Sequence, residues 1–194
     1  MFRPGELKTA LAASWALFRG DASAVNAFDM SMSGFWRSFL AILPLLPLYF
    51  INVKSEKKLL LSDGQIPVET FSENVFWFTQ FLSLGLDWIL FPLILALLAG
   101  PLGLSTGYVR FIVLRNWTSI LCALPFVLAA LLHLAGFLNQ GGVLLISLLT
   151  VGAVLHFRYR LARIAFGAPA SVCIGLVALD FLLSLLIGVL VIRA

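Results

Sequence analysis

Two carboxyl groups stand where the chain is otherwise apolar. Asp87 lies in Leu86-Asp87-Trp88-Ile89-Leu90 and Asp180 in Leu179-Asp180-Phe181-Leu182-Leu183, each near the middle of a long hydrophobic stretch. A carboxylate at the centre of a bilayer costs about 2.5 to 3.5 kcal/mol even on the lenient insertion scale, so such a group is paired, protonated or functional. At helical spacing Gln80, Ser83 and Asp87 share one face of their segment, and Cys173, Asp180, Ser184 and Gly188 share one face of theirs. If the two faces meet, they form a polar seam inside a helical bundle.

The chemistry of that seam depends on what pairs with the aspartates. The basic residues fall at the ends of the apolar segments, where long side chains point outward to the membrane surface. An aspartate without a cation takes up a proton, and two neighbouring carboxyls share one. Three readings follow: a neutral hydrogen bond between helices, a proton or cation path, or a cation supplied by a partner chain.

A pair of membrane aspartates on two helices resembles the intramembrane aspartyl proteases, which would imply that one carboxyl activates water and the other protonates the leaving group. The chain departs from that family's motifs. Ser83-Leu84-Gly85-Leu86-Asp87 stands in place of Gly-x-Gly-Asp, and no Pro-Ala-Leu occurs. His133 and His156 fall at opposite membrane faces, so they share no metal, and neither a zinc-binding His-Glu-x-x-His nor a phosphate-binding glycine loop is present. Cys122 and Cys173 lie inside apolar segments and imply neither a disulfide framework nor a zinc site. The expectation is a protein that is not an enzyme and carries no metal or cofactor.

The elements that must position these residues are helices in a membrane. Of 194 residues 61% are hydrophobic and 11% charged, against about 25% charged in an ordinary soluble domain, and the mean hydropathy is +1.05. The fold class is all-α, a polytopic membrane helical bundle. Five apolar segments approach the roughly 20 residues that a spanning helix needs: 35–53, 75–99, 117–138, 143–161 and 170–192. Pro44 and Pro47 predict a kink in the first. Asp87 then lies twelve residues from either end of its segment, about 18 Å along the helix axis, and Asp180 is similarly central.

Residues 1–34 form an N-terminal segment ahead of the five-span domain of residues 35–194. Pro4-Gly5 and Gly20 bracket a short helix over 6–18, where Leu7, Leu11, Trp15 and Phe18 recur at helical spacing. It reads as an interfacial amphipathic helix. Ser31 or Ser33 is available to cap the next helix. No signal-peptide pattern opens the chain, so the first span is expected to act as its own insertion signal.

Charge sets the expected orientation. With five spans, Arg3, Lys8, Arg19, Arg37, Arg110, Arg115, Arg158, Arg160 and Arg163 fall on one side, against Lys54, Lys57, Lys58 and Arg193 on the other. The positive-inside rule places the N-terminus in the cytoplasm and the C-terminus outside, in a bacterial inner membrane. Trp36, Tyr108, Trp117 and Tyr159 mark one boundary, Tyr49 and Trp77 the other. Trp88 alone is central, where its indole either donates to Asp87 or faces lipid. The outer loop over 54–74 carries Glu56, Asp63, Glu69 and Glu73.

The net charge of +4 is spread along the segment ends rather than gathered in a basic domain, which argues against nucleic acid as a partner. Arg110, Arg115, Arg158, Arg160 and Arg163 line the cytoplasmic face and could hold anionic lipid head groups, since guanidinium binds phosphate bidentately. The glycine-rich run 100–107 is a loop or hinge.

Five spans with the N-terminus inside are similar to the topology of the Yip family of membrane-organising proteins, which implies a non-enzymatic protein assembling with lipids, other membrane proteins or itself. The alternative is a small transporter or channel subunit in which Asp87 and Asp180 relay protons or bind a cation.

Overall fold

Helix is the only regular structure among the described residues, as lipid requires of a chain whose backbone groups must be satisfied within each segment. The structure is a computed structural model describing residues 3–62, 69 and 71–193. Asp63 of the expected outer loop and the side chain of Arg193 lie outside the described residues. The helices are α1 (Glu6–Phe18), α2 (Met32–Ser38), α3 (Ile42–Ser62), α4 (Glu73–Ala99), α5 (Ser105–Leu134), α6 (Gln140–Phe166) and α7 (Ala170–Arg193). Among the described residues five stretches are long and apolar enough to cross a membrane: Met32–Ser62, Glu73–Ala99, Ser105–Leu134, Gln140–Phe166 and Ala170–Val191.

The first of these joins α2 to α3 through a 3₁₀ turn, Phe39–Ala41. Pro44 has no N–H to return to the carbonyl of Leu40, so the loosened turn sits where the α-helical ladder is interrupted. The span does not end at Val53 as expected. Lys54, Glu56, Lys57 and Lys58 are good helix formers and carry α3 onward to Ser62. Lys58 Nζ donates to the carbonyls of His133 at 3.0 Å and Leu134 at 3.3 Å, closing the C-terminus of α5. Lys57 pairs with Glu73 at the start of α4.

The third span starts at Ser105, twelve residues before the expected Trp117, and so takes Arg110, Arg115 and Asn116 into the helix. It stops at Leu134 rather than at 138, because the chain turns at Gly136 with φ 83°. The fourth runs past 161 to Phe166, opened by the Asn139 side chain accepting from Gly142 N at 2.9 Å and closed by left-handed Gly167. The Arg158, Arg160 and Arg163 positions are therefore helical too.

α5 is the central element. It touches α1, α2, α3, α4 and α6, while α7 packs on α4 and α6. Phe111 through Ile120 form an unbroken buried run on it. Gly107 allows the close approach of α6, since a β-carbon there would meet the Phe166 ring and lie 2.6 Å from the Ala165 carbonyl oxygen.

α1 has the expected bounds, but its faces differ from the expected stripe. Ala10, Ala13, Ser14 and Leu17 are buried, whereas Leu11, Trp15 and Phe18 are exposed. Small side chains let the helix lie close on α5, and the large apolar ones are left facing outward. The interfacial reading thus rests on the outward row, not on the face that holds the helix to the bundle.

An ion-pair clip joins α1 to α2. Arg37 Nε donates to Glu6 at 3.1 Å, Arg37 Nη2 to Asp29 at 2.5 Å, and Arg3 Nη1 to the same Asp29 oxygen at 3.0 Å. Ser31 is the cap of α2, its hydroxyl accepting from Gly34 N at 3.1 Å. Hydrogen bonds from Ser31, then from Arg37, pull the Asp29 carboxyl down from 3.8 to about 2. A depressed carboxyl contributes its stabilisation fully above its unfolded-state value and loses it as pH falls through the folded one. Amide hydrogen exchange across residues 29–37 should therefore lose protection as pH drops from 3.8 towards about 2. Asp29→Asn should remove that dependence. Protection in the native chain that holds unchanged to pH 2 would contradict the clip.

Candidate functional site

Among the described residues the middle of the bundle holds four charged side chains, one from each of four helices. On α5, Arg115 and Ser119 are one turn apart on the same face; Asp87 and Phe91 stand in the same relation on α4, and Asp180 and Ser184 on α7. Packing the three faces together, with Arg158 from α6, builds the cluster.

Arg115 is 2% exposed. Its Nη2 lies 2.8 Å from Asp180 Oδ1 and its Nε 3.3 and 3.4 Å from the two Asp180 oxygens, a near-bidentate engagement. The same Nη2 reaches Asp87 Oδ2 at 3.4 Å. The Phe91 ring centroid is 4.8 Å from Arg115 Cζ, adding a cation–π contact on the guanidinium face. The Ser184 hydroxyl donates to Asp87 Oδ1 and sits 3.1 Å from the backbone carbonyl of Asp180. Arg158 Nη2 donates to Ser119 Oγ at 3.0 Å, and Nη1 is 3.9 Å from Asp180 Oδ2. Two cations and two carboxylates balance to zero, the condition under which buried charge is tolerated.

The two aspartates are not equivalent. Asp180 has 13% of its side chain exposed and faces both arginines, whereas Asp87 has 29% exposed and a single, longer arginine contact. Asp87, Arg115 and Arg158 line a cavity of about 240 Å³ together with Tyr49, Asn52 and Ser119. A second cavity, of about 350 Å³, shares Tyr49, Asn52 and Phe126 with it and continues past Ser55 and Glu56. Polar side chains thus run from the charged cluster towards the end of the bundle where α3 meets the α5 C-terminus.

The placement corrects several expectations. No base was expected in the middle of a span, yet Arg115 lies well inside α5 and Arg158 inside α6, and both face the aspartates. The carboxyls consequently have cations of their own chain, and neither a protonated default nor a partner's cation is needed. Arg115 and Arg158 cannot line a lipid-binding face while buried in the bundle. Of the other three, Arg160 donates to the carbonyls of Phe18 and Leu17 at 3.2 and 3.3 Å and closes α1, and Arg163 donates to Ala168 O at 3.0 Å. Arg110 is exposed.

The polar seam is also divided. Ser184 does join the two aspartates, but Gln80 belongs to a separate layer, accepting from Tyr49 Oη at 3.0 Å and donating to Glu56 Oε1 at 2.9 Å. Ser83 is half-buried, and Cys173 Sγ lies 3.8 Å from Ala168 O, away from Asp180. Trp88 donates its indole N–H to Phe39 O at 3.2 Å rather than to Asp87, tying α4 to the 3₁₀ turn of the first span. The run Gly103-Leu104-Ser105-Thr106-Gly107 has the Gly-x-Ser-x-Gly spacing of a serine nucleophile, but it follows a helix rather than a strand and Ser105 simply opens α5. Spacing without the strand-to-helix turn carries no such chemistry.

Compared with protein-family models, curated proteins and solved structures, the chain matches none.

Proposed function

We propose that this integral membrane protein is a small, non-enzymatic proton-coupled transport protein, with Asp87 as the exchangeable acid and Asp180 as the fixed counter-ion of Arg115. The observation that carries this reading is the asymmetry of the aspartates at the cavity. An intramembrane carboxyl that is both partly open to a polar cavity and weakly tied to its cation can exchange a proton without dismantling the network. Asp180, held on two sides, keeps Arg115 compensated while that happens.

Tyr49, Asn52 and Glu56 supply the polar lining between the cluster and the membrane surface. Removing Arg115 and Arg158 from the surface tally leaves seven bases against four, a bias that by the positive-inside rule supports a cytoplasmic N-terminus. The localisation that fits is a bacterial inner membrane.

Vesicles containing the purified chain should, in at least one of a series of sodium salts that includes nitrate and formate, dissipate an imposed pH gradient faster than protein-free vesicles in the same salt. Asp87→Asn should lower that flux at least about tenfold while leaving the unfolding midpoint close to that of the native chain. If vesicles with the native chain keep their gradient as long as empty ones in every salt, transport is wrong. The outward row of Leu11, Trp15 and Phe18 with the exposed apolar faces of α4, α6 and α7 then favours the other reading, a protein that assembles with lipids or other membrane proteins.

A further inference from the structure

Arg158 is the member of the cluster whose hydrogen bonding is incomplete. Its Nη2 has only the neutral Ser119 hydroxyl, and its Nη1 is sealed from solvent with no hydrogen-bond partner. The nearest carboxylate oxygen to Nη1, on Asp180, is 3.9 Å away, and both Asp180 oxygens are engaged by Arg115. A buried guanidinium N–H without an acceptor is costly, and a small turn of the Arg158 side chain would bring it into the cavity that this residue lines with a second arginine, two hydroxyls and an amide. The arrangement favours an acceptor carrying negative charge, and a planar oxyanion matches the guanidinium fork.

Charge decides what must accompany such an anion. With Asp87 and Asp180 ionised the four side chains sum to zero, so a monoanion alone would bring the cluster to −1 in a low-dielectric interior. A proton on one carboxylate restores neutrality. Asp87 is the one that can take it, since it faces the cavity and has one long contact to Arg115. The charged and titratable groups around it are Arg115 and Cys122 from α5, Arg158 from α6, Asp180 from α7, and Tyr49 from α3, with Glu56 further along in the adjoining cavity.

We propose that the cavity enclosed by α3, α4, α5 and α6 binds a small planar monoanion, of the carboxylate or nitrate class, on Arg158 together with one proton on Asp87. The proton comes from the aqueous phase and forms an O–H bond on Asp87 Oδ; no other bond is made or broken. The inference rests on the transport reading and names its co-substrate class. Binding of the two ions is reciprocal, because each removes the charge penalty of the other.

The test is calorimetric titration of the full chain in lipid nanodiscs with sodium formate and sodium nitrate across a series of pH values. Affinity of the native chain should fall by up to about tenfold for each unit of rising pH, the limit set by one linked proton. A lightly buffered solution should report one proton taken up per anion bound. Asp87→Asn, which has the charge of the protonated side chain, should bind both anions tightly with no pH dependence. Arg158→Gln should weaken binding at least tenfold, and Arg158→Lys should restore part of it.

The proposal is overturned by a pH-independent affinity in the native chain, or by an Arg158→Gln chain that folds and binds as tightly as the native one. Should Arg158→Gln not fold, the pH profile of Asp87→Asn decides alone. Asp87-dependent proton flux without binding of either anion overturns this inference and leaves the transport reading intact, whereas no flux at all overturns the transport reading itself.

Discussion

Replacing Asp180 with Ala should destabilise the protein by about 3–5 kcal/mol, the cost of leaving a buried cation without its partner. Arg115 is 2% exposed and donates its closest hydrogen bond to Asp180, so neither water nor a rotamer change replaces the lost carboxylate. The remaining Asp87 then faces two arginines, and the cluster carries a net positive charge. Arg115→Met combined with Asp180→Leu should recover most of the loss, because Asp87 and Arg158 still balance and the new side chains fill the volume. Thermal unfolding in mild detergent with all three chains measures it. A single Asp180→Ala chain within about 1 kcal/mol of the native one would show that the pair does not hold the bundle.

Gly107→Val should lower stability by about 1–3 kcal/mol through overpacking where α5 meets α6. The obstacle is not only the Phe166 ring, which could turn aside. It includes the Ala165 carbonyl oxygen, 2.6 Å from the position of an added β-carbon, and backbone moves only with its helix. Arg158 lies two turns before Phe166 on α6, so displacing that end of the helix also displaces Arg158 relative to Ser119 and Asp180. Gly107→Val should accordingly impair proton flux as well as stability. Gly85→Val on α4, where an added β-carbon meets no atom within 4 Å, is the matched control and should change neither by much. Equal unfolding midpoints for Gly107→Val and Gly85→Val would contradict the close approach.

Much of the fold was legible because it follows from terms that add along the chain. Apolar length predicts five spans, the Pro4-Gly5 and Gly20 pair predicts the bounds of α1, and a serine before Met32 predicts the cap of α2. The span ends were misplaced where the signal was hydropathy alone. Arg115 and the lysines after Val53 read as segment ends, since a charge is costly in lipid on average. A helix does not stop for a charge when the next residues favour helix and a carboxylate or the membrane surface receives it.

The candidate site was half legible. The apolar surroundings of Asp87 and Asp180 mark them from sequence, and the one-turn spacing of Asp180 and Ser184 places a hydroxyl beside them. Their cation was invisible. Arg115 is 28 residues from Asp87 and 65 from Asp180, and nothing local to any of the three announces the others. A helical-wheel reading that carried the third span back to Ser105 would have placed Arg115 and Ser119 on one inner face, which is the signal that was available.

The sequence by itself determined that this is an all-helical membrane protein and that two carboxyls lie where lipid does not tolerate them unpaired, because burial cost and periodicity are properties of each segment. Only the tertiary structure decided that Arg115 and Arg158 meet those carboxyls, that Asp180 is held while Asp87 opens to a cavity, and that Gln80 and Trp88 serve other layers. Pairing depends on how four helices are rotated and set in depth against one another, and that relation is fixed by their packing rather than by any one of them.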